Sequence, residues 1–393
     1  MTGGAGDGLA GLSAASLVEE AVLRAGAGAA PTTVPFTANL ELLVASCRDH
    51  GALSPTGATV LAKAALRHLR NVLEVDAHLV AQPGVRERPL TGPVVVTGLP
   101  RTGTTLLHNL LALDPAHRAL RFWEALRPVP PGPDGPSVEA RQAQAAAWLE
   151  AFYRLVPEFQ SIHAATPTGP EECDALLQNT FASQHFDDMF DAPAYSDWLA
   201  TAPLAAEYRH YALQLRVLTS ASPPGPTWAL KSPSHLGHLD ALLAALPGVT
   251  VVVCHRDPRE AVASYASLIH TLRRPYTLGP DPAVAGRQAL ARASVAMGRA
   301  METRDSMGAG APFVDVSYPG LEREPLAAVA EVYEQMGRTL PDEASGPMAA
   351  WVAENPRHRR GPHRYDLERF GLEEDEVLTI FEPYLARFGG FVR

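Results

Sequence analysis

The chain has 393 residues, of which 46% are hydrophobic, and a formal net charge of −10 at pH 7. This length allows one large domain or two ordinary ones, and the negative charge argues against extended binding to DNA or RNA. The cysteines at 47, 173 and 254 are too far apart for a metal motif or a disulfide framework, which is typical of a reducing compartment. We find no signal-peptide core and no apolar run of the roughly 18 residues that a membrane-spanning helix needs. We therefore expect a cytoplasmic protein without a transmembrane segment.

The N-terminal quarter is predicted to be helical. Apolar residues recur at helical spacing through residues 14–90. A first strand–loop–helix unit then occupies about 92–114, and a Pro-rich loop at 127–136 breaks regular structure. We expect an N-terminal helical region over residues 1–90, packed on a core domain over residues 91–393.

Strands and helices alternate in the rest of the chain. Residues 138–221 carry few strand signals and are predicted to form a helical insertion. Apolar runs at 227–231, 249–254 and 312–316 predict further strands, and helical patterns separate them. This order predicts an α/β fold, with a P-loop-like parallel sheet flanked by helices. Ligands of such sheets lie beyond the C-terminal ends of the strands.

The most informative stretch runs from residue 94 to residue 105. The spacing Gly98-x4-Gly103, between an apolar run and a helical pattern, is typical of a phosphate-binding loop. Glycines let the backbone approach an oxyanion, and the amides and dipole of the following helix would face it. A loop that hydrolyses ATP or GTP would carry lysine after Gly103, but this chain has Thr104, and the cation of the loop is Arg101. The loop is therefore predicted to hold an anion without the lysine that serves a γ-phosphate.

A second motif follows the apolar run at 249–254. That predicted strand leads into Arg256, and Asp257-Pro258 suits the start of a helix. The helix carries Ser264, eight residues after Arg256. Both side chains would then reach one phosphate near the first loop.

Together the two motifs resemble those of sulfotransferases that use 3′-phosphoadenosine 5′-phosphosulfate (PAPS). The first loop resembles the 5′-phosphosulfate loop, and Arg256 and Ser264 resemble the 3′-phosphate motif. The resemblance covers about residues 92–390. It is closest to the bacterial branch of the family, which carries an arginine in the loop. It implies in-line transfer of a sulfonate group from PAPS to a hydroxyl of a small, apolar or aromatic acceptor. The product of the donor would be adenosine 3′,5′-bisphosphate, and the reaction would need no metal. The cofactor-binding residues that it implies in the first loop are Pro100, Arg101, Thr102, Gly103, Thr104 and Thr105.

The resemblance also implies a basic, glycine-containing loop near the C-terminus that closes over the 3′-phosphate and the adenosine. Arg359, Arg360 and Gly361 match this loop best. The alternative is a solvated run of charges. A doubly phosphorylated cofactor in a chain of net charge −10 favours the binding role.

Two cations are predicted to act in catalysis. Arg101 stands where the cytosolic animal branch carries lysine, and a guanidinium is a fixed fork of donors and a poor acid. Lys231, at the end of the strand predicted at 227–231, matches the family's lysine that faces the sulfuryl group. The alternative for Lys231 is a strand-end lysine that reaches solvent.

Two residues stay open as the general base. His235 follows Lys231 closely, and imidazole titrates near neutral pH. Glu124 lies where relatives that modify tyrosine or glycans carry a catalytic glutamate, and its aromatic neighbours would raise its pKa. The alternatives are a packing role for His235 and a salt bridge to a nearby arginine for Glu124.

By the same resemblance, the helical insertion forms the acceptor side. Aromatic residues are predicted to line an apolar acceptor pocket: Trp123, Phe152, Tyr153, Phe159, Phe181, Phe186, Trp198 and Tyr208. The acidic residues of the insertion are expected on a solvated face, with binding of Mg²⁺ or of a cationic acceptor as the alternative: Glu171, Glu172, Asp174, Asp187, Asp188 and Asp191.

Two other functions compete with sulfonate transfer. A P-loop nucleotide kinase is disfavoured because the chain lacks Gly-Lys-Ser/Thr and an evident Mg²⁺ carboxylate after a strand. A non-catalytic nucleotide-binding protein of the same fold is the third possibility. The sequence identifies neither the acceptor nor the oligomeric state.

Overall fold

The computed structural model describes residues 12–25, 35–132, 135–162, 164–221, 225–308, 310–355 and 366–393. Across these ranges, five strands form one sheet in the order β2-β3-β1-β4-β5, and every neighbouring pair is parallel. The strands are β1 (Val94–Gly98), β2 (His117–Ala119), β3 (Thr227–Lys231), β4 (Thr250–His255) and β5 (Phe313–Ser317).

Helices surround the sheet on both faces. In chain order the α-helices are α1 (Ala14–Ala25), α2 (Thr37–His50), α3 (Pro55–Ala81), α4 (Thr104–Leu111), α5 (Phe122–Leu126), α6 (Val138–Leu155), α7 (Phe159–Ile162), α8 (Asp174–Leu177), α9 (Gln184–Met189), α10 (Pro193–Thr201), α11 (Ala205–Leu218), α12 (Leu239–Ala245), α13 (Pro258–Arg273), α14 (Pro282–Met307), α15 (Tyr318–Arg323), α16 (Pro325–Gln335), α17 (Asp342–Glu354), α18 (Glu374–Ile380) and α19 (Glu382–Phe388). Short 3₁₀ helices occupy Pro83–Glu87, Gln178–Thr180, Pro233–His238 and Glu368–Phe370.

The central strand explains the apolar runs of the sequence. β1 is buried along its whole length, between β3 and β4. Side chains alternate between the faces of a strand, so Val95 joins the core under α13 and α14, while Val94 and Val96 join the core under α4, α16 and α17. A sheet covered on both faces needs continuous apolar strands, which is the pattern seen in β1 and β4.

The predicted α/β fold is confirmed, and three predicted strands lie within one residue of β3, β4 and β5. The sequence did not predict β2, because three residues are too few to show a period. Its pairing with β3 makes it a strand. Between β3 and β4 the chain makes a 3₁₀ turn over Pro233–His238 before α12 begins.

The N-terminal helices and the insertion share one core. Buried residues of α1, α2 and α3 belong to the same apolar cluster as those of α8 to α11. A buried polar contact also joins them, since His68 Nδ1 lies 2.7 Å from Asn179 Oδ1. As predicted, the described part of the insertion is helical, from α6 to α11. None of the helices described is long and apolar enough to cross a membrane.

Candidate active site

The loop between β1 and α4 lies at the C-terminal edge of the sheet. Gly98 has a φ of 150° and Gly103 a φ of 86°, conformations that L side chains rarely adopt. A Cβ atom on Gly98 would lie 2.5 Å from the carbonyl oxygen of Cys254, and one on Gly103 would lie 2.6 Å from a ring carbon of Tyr318. Both positions therefore require glycine, because the backbone angle and the lack of space act together.

The side chain of Arg101 makes hydrogen bonds to two other elements of the fold. Its φ of 72° is left-handed, which is uncommon for a residue other than glycine. Its Nε donates a hydrogen bond to Ser264 Oγ on α13 at 3.1 Å, and its Nη1 donates to the carbonyl oxygen of Ile162 in α7 at 3.1 Å. The fold thus brings together two predicted cofactor-binding residues from separate motifs.

Arg256 follows β4 and turns toward the same loop. Its Nη1 donates to the carbonyl oxygen of Arg101 at 2.7 Å, and its Nε donates to Glu260 Oε2 at 2.9 Å. Its guanidinium also lies over the ring of Tyr318, 4.4 Å from the ring centre. Tyr318 therefore touches both halves of the site, the loop at Gly103 and the cation at Arg256.

Lys231 ends β3 and is buried, with an exposed fraction of 1%. The alternative of a solvent-reaching lysine is therefore wrong. Its Nζ donates to Thr105 Oγ1 at 3.2 Å and forms an ion pair with Glu172. The amide of Cys173 donates to the carbonyl oxygen of Lys231 at 2.8 Å, which fixes Glu172 beside the lysine.

The acidic residues of the insertion are not a solvated face, which corrects the expectation from the sequence. Asp174, Asp187 and Asp188 are buried, and Glu172 contacts Lys231. Burial raises the pKa of Asp174 to about 6, and it raises the pKa of Glu171 to about 7. Sequence reasoning missed Glu172 as a site residue, because no periodic pattern marks the side of the chain that faces Lys231.

The two candidate bases both have structural partners. Glu124 Oε1 accepts from Arg118 Nη2 at 2.6 Å, and its Oε2 accepts from the amide of Arg121 at 3.0 Å. Burial raises the pKa of Glu124. His235 is fully buried, and its Nδ1 lies 2.8 Å from the hydroxyl oxygen of Tyr208.

His235 is neutral at physiological pH, because burial lowers its pKa to about 3. In the part of the chain that the structure describes, its Nε2 has no hydrogen-bond partner. The rings of Tyr208 and Tyr211 pack against it. The packing role and the salt bridge named as alternatives for His235 and Glu124 are thus both present, and a catalytic role for either stays a prediction.

The remaining predicted site residues lie partly in the loop and partly outside the described residues. Thr102 is buried, and its Oγ1 donates to the carbonyl oxygen of Leu99 at 2.7 Å, which closes the loop. Thr104 begins α4, so its amide lies in the helix's first turn. Arg359, Arg360 and Gly361 lie outside the described residues. Among the residues described, no three His, Cys, Asp or Glu side chains form a group that could hold a metal ion.

A cavity that opens to solvent adjoins the loop; the atom-free space in and in front of it is about 690 Å³, part of which is open solvent. Leu99 and Pro100 form part of its wall, and so do Pro233 and Ser234, which follow Lys231. The lining differs from the predicted aromatic one: Tyr208 contacts the cavity, while Phe181 and Phe186 pack in the core around His68. Aromatic content alone does not indicate which side chains face a cavity.

The chain is similar to known proteins in sequence profile and in fold. A profile described as "Sulfotransferase family" matches residues 93–342. Sulfotransferase STF9 from Mycobacterium avium has 27% identity and a TM-score of 0.83, over 96% of each chain. Sulfotransferase STF1 from Mycobacterium tuberculosis H37Rv has 26% identity and a TM-score of 0.78, over 95% of this chain and 99% of its own. No curated protein matches the chain in sequence. Since the profile spans more than half of its residues, the chain belongs to the sulfotransferase family of enzymes.

Proposed function

We propose that this enzyme transfers the sulfonate group of PAPS to a hydroxyl of a small, apolar acceptor. The observation that carries the proposal is the convergence of three cations on one loop. Arg256 binds the carbonyl oxygen of Arg101, Arg101 binds Ser264, and Lys231 binds Thr105. A chain of net charge −10 that collects cations at a helix N-terminus is suited to an anionic ligand.

The residues present fit a donor with two anionic ends. Arg256 and Ser264 would hold the 3′-phosphate, and the loop amides with the hydroxyls of Thr104 and Thr105 would hold the phosphosulfate. Arg256 is paired with Glu260 and Lys231 with Glu172. At Arg256, an anionic ligand could take the place of the Glu260 carboxylate.

Arg101 and Lys231 would stabilise the charge that develops during transfer. When bound, the donor supplies an activated sulfonate: the acceptor oxygen bonds to sulfur as the bond from sulfur to the phosphate oxygen breaks, and the phosphate keeps the electron pair. Fixed cations are effective here, because they need no reorganisation as charge moves onto the leaving phosphate. Lys231 is held by Thr105 and Glu172 in a buried place, which pre-positions its ammonium.

The hydroxyl proton needs a base. Glu124 and His235 are the candidates from the sequence, and the geometry adds Glu172 as a third. Glu172 touches the ammonium of Lys231, whereas Glu124 is held by Arg118 and His235 by Tyr208. A base must lie within hydrogen-bond reach of the reacting hydroxyl, so the contact of Glu172 with Lys231 supports its candidacy.

Ligand stabilisation tests the proposal. Adenosine 3′,5′-bisphosphate should raise the melting temperature by several degrees, because a ligand at about 100 times its Kd stabilises the native state by about 2.7 kcal/mol. ATP with Mg²⁺ serves as the matched comparison. Stabilisation by ATP with Mg²⁺ and not by the bisphosphate would favour the kinase alternative. Turnover of PAPS with an acceptor separates catalysis from nucleotide binding alone.

A further inference from the structure

We infer that the cavity beside the loop holds the body of the acceptor, and that this acceptor is an uncharged, mainly aliphatic alcohol. The inference rests on the proposed function for the identity of the ligand as an acceptor. The chemistry of the cavity itself is argued from the side chains that line it.

The cavity adjoins the chain segments that carry the proposed transfer site. Leu99 and Pro100 immediately precede Arg101, and Pro233 and Ser234 follow Lys231 within three residues. Tyr265, which follows Ser264, also contacts the cavity. The cavity therefore borders three of the chain segments that carry predicted site residues, and a molecule inside it can present one end to the loop.

The walls are aliphatic rather than aromatic. They include Leu177 from the insertion, Leu199 from α10, Leu204 before α11, and Ala293 and Val295 from α14. Aliphatic walls exchange water for dispersion contacts with hydrocarbon. The two tyrosines of the lining, Tyr208 and Tyr265, are at most 1% exposed, so they offer little ring surface on which an aromatic ligand would stack. The shape and composition therefore suit an alkyl or alicyclic body.

The charged groups at the cavity are already paired with each other. Arg292 forms ion pairs with Asp187 and Asp188, and its Nε donates to Ser196 Oγ at 3.1 Å. Tyr265 donates to Asp188 Oδ1 at 2.7 Å. A charged ligand would lose its hydration without gaining a free counter-ion, which makes burial of the charge costly. This selects against carboxylates and amines.

One polar side chain of the lining is left without a partner. His238 is only 8% exposed, and its Nδ1 has no hydrogen-bond partner among the residues that the structure describes. Burial lowers its pKa to about 4, so the imidazole is neutral at physiological pH. A neutral imidazole offers one donor and one acceptor. A ligand with a polar group on its body, such as a second hydroxyl or a carbonyl, would satisfy it.

The test uses 1-octanol as a probe, with octanoate and octylamine as charged analogues of equal chain length. Binding is measured by calorimetry with adenosine 3′,5′-bisphosphate present in excess. Ala200→Phe narrows the cavity from the end of α10, and Ala194→Phe is the matched control, because Ala194 is exposed on the same helix and does not line the cavity. Val295→Phe narrows the mouth from α14 and serves if Ala200→Phe fails to fold.

We expect the affinity for octanol to be at least about tenfold higher than the affinity for either charged analogue. We expect Ala200→Phe and Val295→Phe to weaken octanol binding about tenfold, and Ala194→Phe to leave it unchanged. Binding of octanoate or of octylamine that is as tight as that of octanol, or tighter, overturns the assignment to an uncharged ligand. If neither narrowing variant changes the binding of octanol, the assignment of the ligand to this cavity is overturned.

The same experiment separates this inference from the proposed function. All variants should keep the affinity of the wild-type enzyme for the bisphosphate, because none of the substituted residues contacts the loop cations. If octanol binds and the narrowing variants remove it while the bisphosphate does not bind, the proposed function fails and the aliphatic cavity stands. If the bisphosphate binds and octanol does not, the proposed function stands and the assignment of the cavity fails.

Discussion

The guanidinium of Arg256 donates a hydrogen bond to the carbonyl oxygen of Arg101 at 2.7 Å, and this contact joins the two motifs of the site. It spans 155 positions of sequence, from the end of one strand to the loop after its neighbour. Because β1 and β4 are adjacent and parallel, their C-terminal ends meet at one edge of the sheet. The carbonyl oxygen of the left-handed Arg101 thus lies against the guanidinium of Arg256.

Replacing Arg256 with alanine should weaken the binding of adenosine 3′,5′-bisphosphate by about 10- to 100-fold, because a charge-assisted hydrogen bond contributes about 1.5–3 kcal/mol. Calorimetric titration measures the change. Arg259→Ala is the control, since Arg259 pairs with Asp257 and Glu374. Unchanged affinity in Arg256→Ala would remove this residue from the binding site.

Gly103→Ala should lower the free energy of unfolding by about 1–3 kcal/mol and reduce bisphosphate binding, because the φ of 86° and the ring of Tyr318 both oppose a side chain. Gly298→Ala should act in the opposite direction. Gly298 lies inside α14 with open space around it, so alanine should stabilise by about 0.5–1 kcal/mol. Chemical denaturation of both variants checks the contrast in sign, and equal effects would contradict it.

Lys231→Met should reduce turnover by about 10²-fold or more at saturating donor and acceptor, since it removes a positioned charge from the transfer site. The chain has one other lysine, Lys63, which is exposed on α3. Lys63→Met is therefore a control of the same chemistry and should keep normal turnover. Similar rates in both variants would show that Lys231 does not act in the chemical step.

The general base should be revealed by comparing Glu124→Gln, His235→Ala and Glu172→Gln at saturating donor. Loss of the true base should cost about 10²-fold or more in turnover while bisphosphate affinity stays near normal. The contact of Glu172 with Lys231 leads us to expect the largest loss in Glu172→Gln. Near-normal turnover in all three variants would mean that the proton leaves by another route.

His210 should make the enzyme less stable as pH falls below 6.5. Burial lowers the pKa of His210 to about 4, so between pH 6.5 and pH 4 the unfolded chain binds a proton that the folded chain does not. This histidine therefore costs about 2 kcal/mol of stability at pH 5, relative to neutral pH.

His210→Phe should remove that cost. Its stability relative to the wild-type enzyme should improve by about 2 kcal/mol between pH 7.5 and pH 5, and stay constant from pH 7.5 to pH 8.5. Urea denaturation at each pH provides the measurement. His210 packs edge-on against Phe36, so phenylalanine suits the site by shape. A difference that does not change with pH would show that the imidazole is not held neutral.

Much of the fold could be predicted because its signals are local. β3 coincides with the predicted strand 227–231, and β4 is a continuous apolar run that only a doubly covered sheet accommodates. The two glycines of the first loop are likewise a local signal, because each is required by the backbone angle at its own position. These features can therefore be predicted from a single sequence without knowledge of the tertiary structure.

The tertiary structure decided which distant groups meet. Glu172 lies beside Lys231 although 59 positions separate them, and Arg101 reaches Ser264 across 163 positions. Three acidic residues of the insertion, Asp174, Asp187 and Asp188, turned out buried, and the cavity mainly aliphatic, for the same reason. Sequence periodicity tells which side of a helix is apolar, but the order of strands and the packing of helices determine what that side faces. The sequence by itself thus determined the glycine-containing loop after β1, and the packing decided its chemical surroundings.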